Sequence, residues 1–130
     1  MSYPQEGLTI RRIVTASISR ANRWHNGNMN EWSPLEWAGA MCGEAGEAAN
    51  AAKKLKRLAC NIKSINDADR HYRDSEAAKL ATIKEVCDTM LYAVLVAASV
   101  GCDGEALEKA LCDVFNQKSN EYGFPEQIGY

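Results

Sequence analysis

The sequence predicts an all-α fold built as a four-helix bundle. Three observations predict it. Apolar residues recur at helical spacing in four separate segments. No stretch sustains the period-two alternation of a half-buried strand, and no hairpin dipeptide joins two apolar runs. The segments are bounded by residues suited to helix ends.

The first segment is read over 9–25, where Ile10, Val14, Ser17, Ala21 and Trp24 follow helical spacing and Gly27 supplies a stop. A polar loop, 26–30, follows. The second segment has the clearest start. Ser33-Pro34-Leu35-Glu36 is a capping box with proline at the first helical position. Trp37, Met41, Glu44, Ala48, Ala51 and Leu55 then form one stripe, and the helix is read to residue 59. Its middle is rich in alanine. Gly46 costs about 1 kcal/mol relative to alanine in a helix interior, which assigns it to close packing or ligand access. The end is basic (Lys53, Lys54, Lys56, Arg57), as suits a helix C-terminus.

The polar connection 61–73 is long for a helix–helix link and reads as a lid or a variable insertion. The third segment is read over 74–100, with Asp74 as N-cap and Gly101 as stop. Its second half, Met90 to Ala98, is apolar all round. Such a helix is buried on every side, which four helices from one short chain do not readily achieve, so a homo-oligomer covering part of it is expected. The fourth segment starts at Asp103 as N-cap, runs to residue 122, and ends at Gly123 and Pro125.

The bulk numbers bound the partners. A length of 130 residues makes one domain, 1–130, with a core that needs no disulfides. Charged residues are 25% and the formal net charge is -2, so there is no basic footprint for nucleic acid. The longest apolar run is too short for a bilayer, so no membrane is expected. The five cysteines are odd in number and form no C-x-x-C pair. Most lie at apolar helix positions, and with no signal-peptide order at the N-terminus the expected compartment is a reducing cytoplasm.

Two carboxylate pairs carry the chemistry: Glu44-Ala45-Gly46-Glu47 and Glu85-Val86-Cys87-Asp88. Acids three apart share a helix face. Acids among apolar residues are costly unless paired or bound to a metal. A third pair, Glu105 and Glu108, sits near a helix N-terminus, where the dipole accounts for it. The central pairs read either as solvated or ion-paired helix faces or as a four-carboxylate metal site. A di-iron bundle needs Glu-x-x-His pairs, and the only histidines, His25 and His71, fall outside that spacing. Four carboxylates without histidine suit Mg²⁺, or Mn²⁺ as a substitute, rather than zinc. Mg²⁺ commonly meets substrate phosphates through a few carboxylates.

Gly43-Glu44-Ala45-Gly46-Glu47, a helix ending in Lys53-Lys54, then Glu85-Val86-Cys87-Asp88-Thr89-Met90-Leu91-Tyr92, and the closing stretch from Val114 to Pro125 together resemble the MazG-type all-α nucleoside triphosphate pyrophosphohydrolases. That family shares a superfamily with the dimeric dUTPases and the phosphoribosyl-ATP pyrophosphohydrolases, and the resemblance covers roughly 32–125. It implies Mg²⁺-dependent hydrolysis of a nucleoside or deoxynucleoside triphosphate to the monophosphate and pyrophosphate, in nucleotide-pool cleaning. Glu44, Glu47, Glu85 and Asp88 would be the catalytic and metal residues, one of them an alternative general base. The assembly would be a homodimer or homotetramer. The chain departs from the family at Asn50, where some relatives carry a further acid, and at Val114 and Glu121, which replace a lysine and an arginine.

For the substrate, Lys54 lies on the face of Glu47 two turns on, about 10 Å along the axis, within reach of a triphosphate tail. Trp32 is the candidate for stacking on the base, with His25 and Asn28 at its edge. Asn50 and Asn116 are further polar candidates, with Lys118 and Ser119 beside the latter. Two rivals stand beside the enzyme: a non-catalytic module binding nucleotide or protein, and a structural helical oligomer whose acids pair with lysines.

Overall fold

A computed structural model describes residues 7–60 and 75–129. Among these the protein is all-α, with no strand: α1 spans Ile10–Trp24, a 3₁₀ turn Met29–Glu31, α2 Pro34–Ala59, α3 Ser75–Ser99 and α4 Gly104–Tyr122. The connection 61–73 and the Asp74 cap fall outside the described residues. Among the described residues no single helix is long and apolar enough to cross a membrane. The chain divides into two compact units, Met1–Ser33 with Val94–Tyr130, and Pro34–Ala93.

In the first unit, α1 begins where Thr9 accepts a hydrogen bond from the Arg12 amide. Its buried face is Val14, Ser17 and Ala21, the middle of the expected stripe. Trp24 departs from it: the residue is 67% exposed and its ring carries the Arg20 guanidinium 5.3 Å from its centroid. At the helix end the stripe has run past the neighbours that cover its middle. The polar loop holds a buried residue, Met29, whose amide donates to Asn22 Oδ1 at 2.8 Å. α1 packs on α4. Arg11 gives its backbone and side-chain N–H groups to Glu108, at 3.1 and 2.7 Å. A Cβ at Gly104 would lie 2.8 Å from the Arg11 Cα, so only glycine allows this approach. Asp103 caps α4 by accepting from Ala106 N. Gly123, at φ 72°, closes the helix with the Phe124 amide returning to Ser119 O. The tail folds back, and Asn116 exchanges two 2.8 Å hydrogen bonds with the Ile128 backbone.

In the second unit, α2 opens at Pro34 as its capping sequence predicts. Trp37 is fully buried and its ring meets that of Tyr92 on α3, centroids 6.2 Å apart. Further along, Ala51 and Lys54 on α2 and Ala78 on α3 are buried. The apolar character of α3 divides along its length. Leu80, Ile83, Val86 and Met90, in this unit, are exposed, while Val94 and Leu95, on the part of α3 that belongs to the first unit, are buried. The uncovered apolar side chains thus lie mostly ahead of the stretch from Met90 to Ala98 that the sequence singled out.

Candidate metal centre

The Trp37–Tyr92 contact fixes the register of the site. Glu44 follows Trp37 by seven residues, and Glu85 precedes Tyr92 by seven. Two helical turns is about 10 Å of rise, so antiparallel helices in contact at the rings bring these two acids to the same level. Asp88, one turn from Glu85 on the same face, joins them. One carboxylate oxygen each from Glu44, Glu85 and Asp88 lies within 4.8 Å of the others, and all three residues are half-buried.

The electrostatics follow from that crowding. Burial, first, then hydrogen bonding with the Glu85 carboxylate and the negative charge of Glu47, pushes the Glu44 carboxyl up to about 7. Without a shared proton, Glu44 Oε2 and Glu85 Oε2 are buried with no hydrogen-bond donor. Buried acceptors lacking a donor are costly, and acceptors this close call for a proton or a cation between them. The donor set is oxygen alone, which fits Mg²⁺ or Mn²⁺ and not a zinc or iron site.

A residue absent from the sequence reading sits at the rim. Lys84 donates to Asp88 Oδ2 at 2.9 Å and to Glu85 Oε1 at 3.4 Å. These two bonds, Asp88 first, raise its ammonium pKa further. Its position four residues before Asp88 was the available signal, since pairs at that spacing meet on a helix.

Of the four predicted acids, the trio is Glu44, Glu85 and Asp88. Glu47 is exposed and acts on Glu44 by charge and hydrogen bonding. Lys54 is only 9% exposed and already engaged, unlike Lys53 and Lys56, which face solvent. Asn50 is exposed on α2. Trp32 and Asn116 belong to the other unit. Trp32 is half-buried with the edge of His25 against it, centroids 5.1 Å apart. Asn28 caps the 3₁₀ turn through Asn30 N. Asn116 holds the tail, so its amide is occupied by backbone. An open groove of about 730 Å³, walled by Leu111, Phe115, Tyr122 and Phe124, lies against α4 and is apolar apart from Lys118, Ser119 and Glu126. Compared with family models, with curated proteins and with solved structures, the chain matches none.

Proposed function

We propose that this protein is a MazG-type pyrophosphohydrolase that cleaves a nucleoside or deoxynucleoside triphosphate into the monophosphate and pyrophosphate, with Glu44, Glu85 and Asp88 holding Mg²⁺. The observation that carries the reading is the convergence of three half-buried carboxylates with two buried, unpartnered oxygens among them. The nearby cation, Lys84, pairs with Glu85 and Asp88 and still leaves these oxygens unpartnered. The motif order around these acids supplies the substrate class.

Bound there, Mg²⁺ would neutralise phosphate charge and make water a better nucleophile. The water oxygen bonds to the α-phosphorus, and the bond from that phosphorus to the α–β bridging oxygen breaks. Pyrophosphate leaves. Glu47 takes the water's proton, because it stands beside Glu44 but outside the trio. A second copy of the chain covers the exposed side chains of α3, making a homodimer or the unit of a homotetramer.

The test pairs two variants. Pyrophosphate release is measured over a panel of standard and modified nucleoside triphosphates with Mg²⁺, and Mn²⁺ binding is measured separately by electron paramagnetic resonance. Glu44→Gln weakens Mn²⁺ binding by more than about tenfold, since even outer-shell changes at metal sites reach that size. Glu47→Gln keeps Mn²⁺ binding and lowers turnover by about a hundredfold or more, the usual contribution of a general base. No turnover on any substrate, with Mn²⁺ binding blind to Glu44→Gln, defeats the proposal.

A further inference from the structure

We infer that Lys84 is a built-in competitor cation, which holds the Glu85 and Asp88 carboxylates in the metal-free protein and sets the divalent-cation affinity of the site. The inference rests on the reading of Glu44, Glu85 and Asp88 as metal ligands and goes beyond it, because it assigns what tunes that site.

Lys84 differs from the other lysines paired along helices. Lys79 pairs with Glu76 and Lys109 with Asp113, and those acids are 76% and 60% exposed. The acids that Lys84 meets are 18% and 34% exposed, and both belong to the trio. Its own side chain remains 69% exposed. A flexible chain in water is thus clamped at its tip onto two shielded carboxylates. The order along the helix is the weaker one for an ion pair, with the cation N-terminal to the acid. Lys109 and Asp113 pair in the same order between exposed groups, so helix spacing accounts for the Asp88 contact, and what sets Lys84 apart is that its tip also reaches Glu85, a second shielded carboxylate of the trio.

The pairing is also incomplete. The ammonium takes Glu85 Oε1 and Asp88 Oδ2 and leaves Glu44 Oε2 and Glu85 Oε2 without partners. One positive charge cannot balance three carboxylates. A divalent ion entering among the same oxygens meets the ammonium at close range, and the two cations repel. Because Lys84 is held at its tip and otherwise solvated, rehydration offsets part of the loss when its ammonium withdraws into water, and the incoming ion supplies the remaining compensation on the same oxygens. Binding of the ion is then an exchange, with the ammonium released as the metal takes the carboxylates.

Mn²⁺ affinity is measured by electron paramagnetic resonance on the full chain, for the parent, Lys84→Met, Lys84→Arg and Asp88→Asn. Helicity and thermal midpoint are recorded for each variant. Lys84→Met binds Mn²⁺ roughly fivefold more tightly at low salt, the effect of one solvated unit charge at close range, and the gain shrinks as salt rises. Lys84→Arg, which keeps the charge, binds like the parent. A residue that merely braced the helix would shift the midpoint and leave affinity alone. Unchanged or weaker binding in Lys84→Met, with Asp88→Asn clearly impaired, overturns the competitor role and leaves the metal site standing. A parent that binds no Mn²⁺, or an Asp88→Asn that binds as well as the parent, overturns both.

Discussion

Glu44 ionises only against the burial of its carboxyl and the acids crowded around it, and stability must register that. Its carboxyl is raised from an ordinary 4.5 to about 7 in the folded chain. Between those values the folded state binds a proton that the unfolded state has released. Stability therefore falls as pH rises across that window. The contribution is fully present below about 4.5 and gone above about 7. Urea denaturation of the metal-free protein should show this decline between pH 5 and 8 (roughly the window of the shift), and Glu44→Gln should flatten it. Divalent cation should restore stability at the alkaline end, where Glu44 has given up its proton. The same residue marks the limit of what the sequence could say. Spacing identified Glu44, Glu85 and Asp88 as acids on apolar helix faces. The stripe from Trp37 to Leu55 already set Glu44 apart from Glu47, but it could not say that Glu44 would meet Glu85 and Asp88, because that register is set by a remote contact, Trp37 on Tyr92.

At the scale of helices, local chemistry decides the ends and tertiary packing decides the faces. Thr9, Pro34, Asp103, Gly101 and Gly123 mark the described ends as the sequence predicts, since a cap is made within a few residues of itself. Asp103→Ala should accordingly cost about 1 kcal/mol in chemical denaturation. Faces were less legible. Met29 is buried from a polar loop because Asn22 pins its amide, and Trp24 is exposed although it continues an apolar stripe. Gly46 is a sharper case. The sequence assigned it to close packing or ligand access, yet a Cβ there would meet nothing within 4 Å. Gly46→Ala should then stabilise the isolated chain by about 1 kcal/mol, the helix-propensity difference. Denaturation at low protein concentration measures it. A loss of stability instead would place a neighbouring helix or ligand against that face.

For the molecule as a whole, the unresolved question of energy is the stripe Leu80, Ile83, Val86 and Met90, all exposed on α3. Its spacings of three, three and four keep the four side chains on one face of the helix. Monomeric proteins rarely leave contiguous apolar surface of this kind uncovered. Burying each of these side chains fully would contribute about 1.5–3 kcal/mol, and the part already shielded lowers that to roughly 1 kcal/mol each. Two copies then gain about 8 kcal/mol, against an association cost of about 4–15 kcal/mol. The balance is close, so the stripe by itself supports a concentration-dependent equilibrium rather than a permanent assembly. Sedimentation velocity over a dilution series should show the chain associating as concentration rises, and the thermal midpoint should rise with it. Ile83→Glu places a charge in the centre of the stripe and should give monomer at every concentration. Because Ile83 lies on a different face of α3 from Glu85 and Asp88, that variant should still bind Mn²⁺ as the parent does. Association that survives Ile83→Glu would move the interface off α3, and loss of Mn²⁺ binding with association would mean that the site is complete only in the assembled protein.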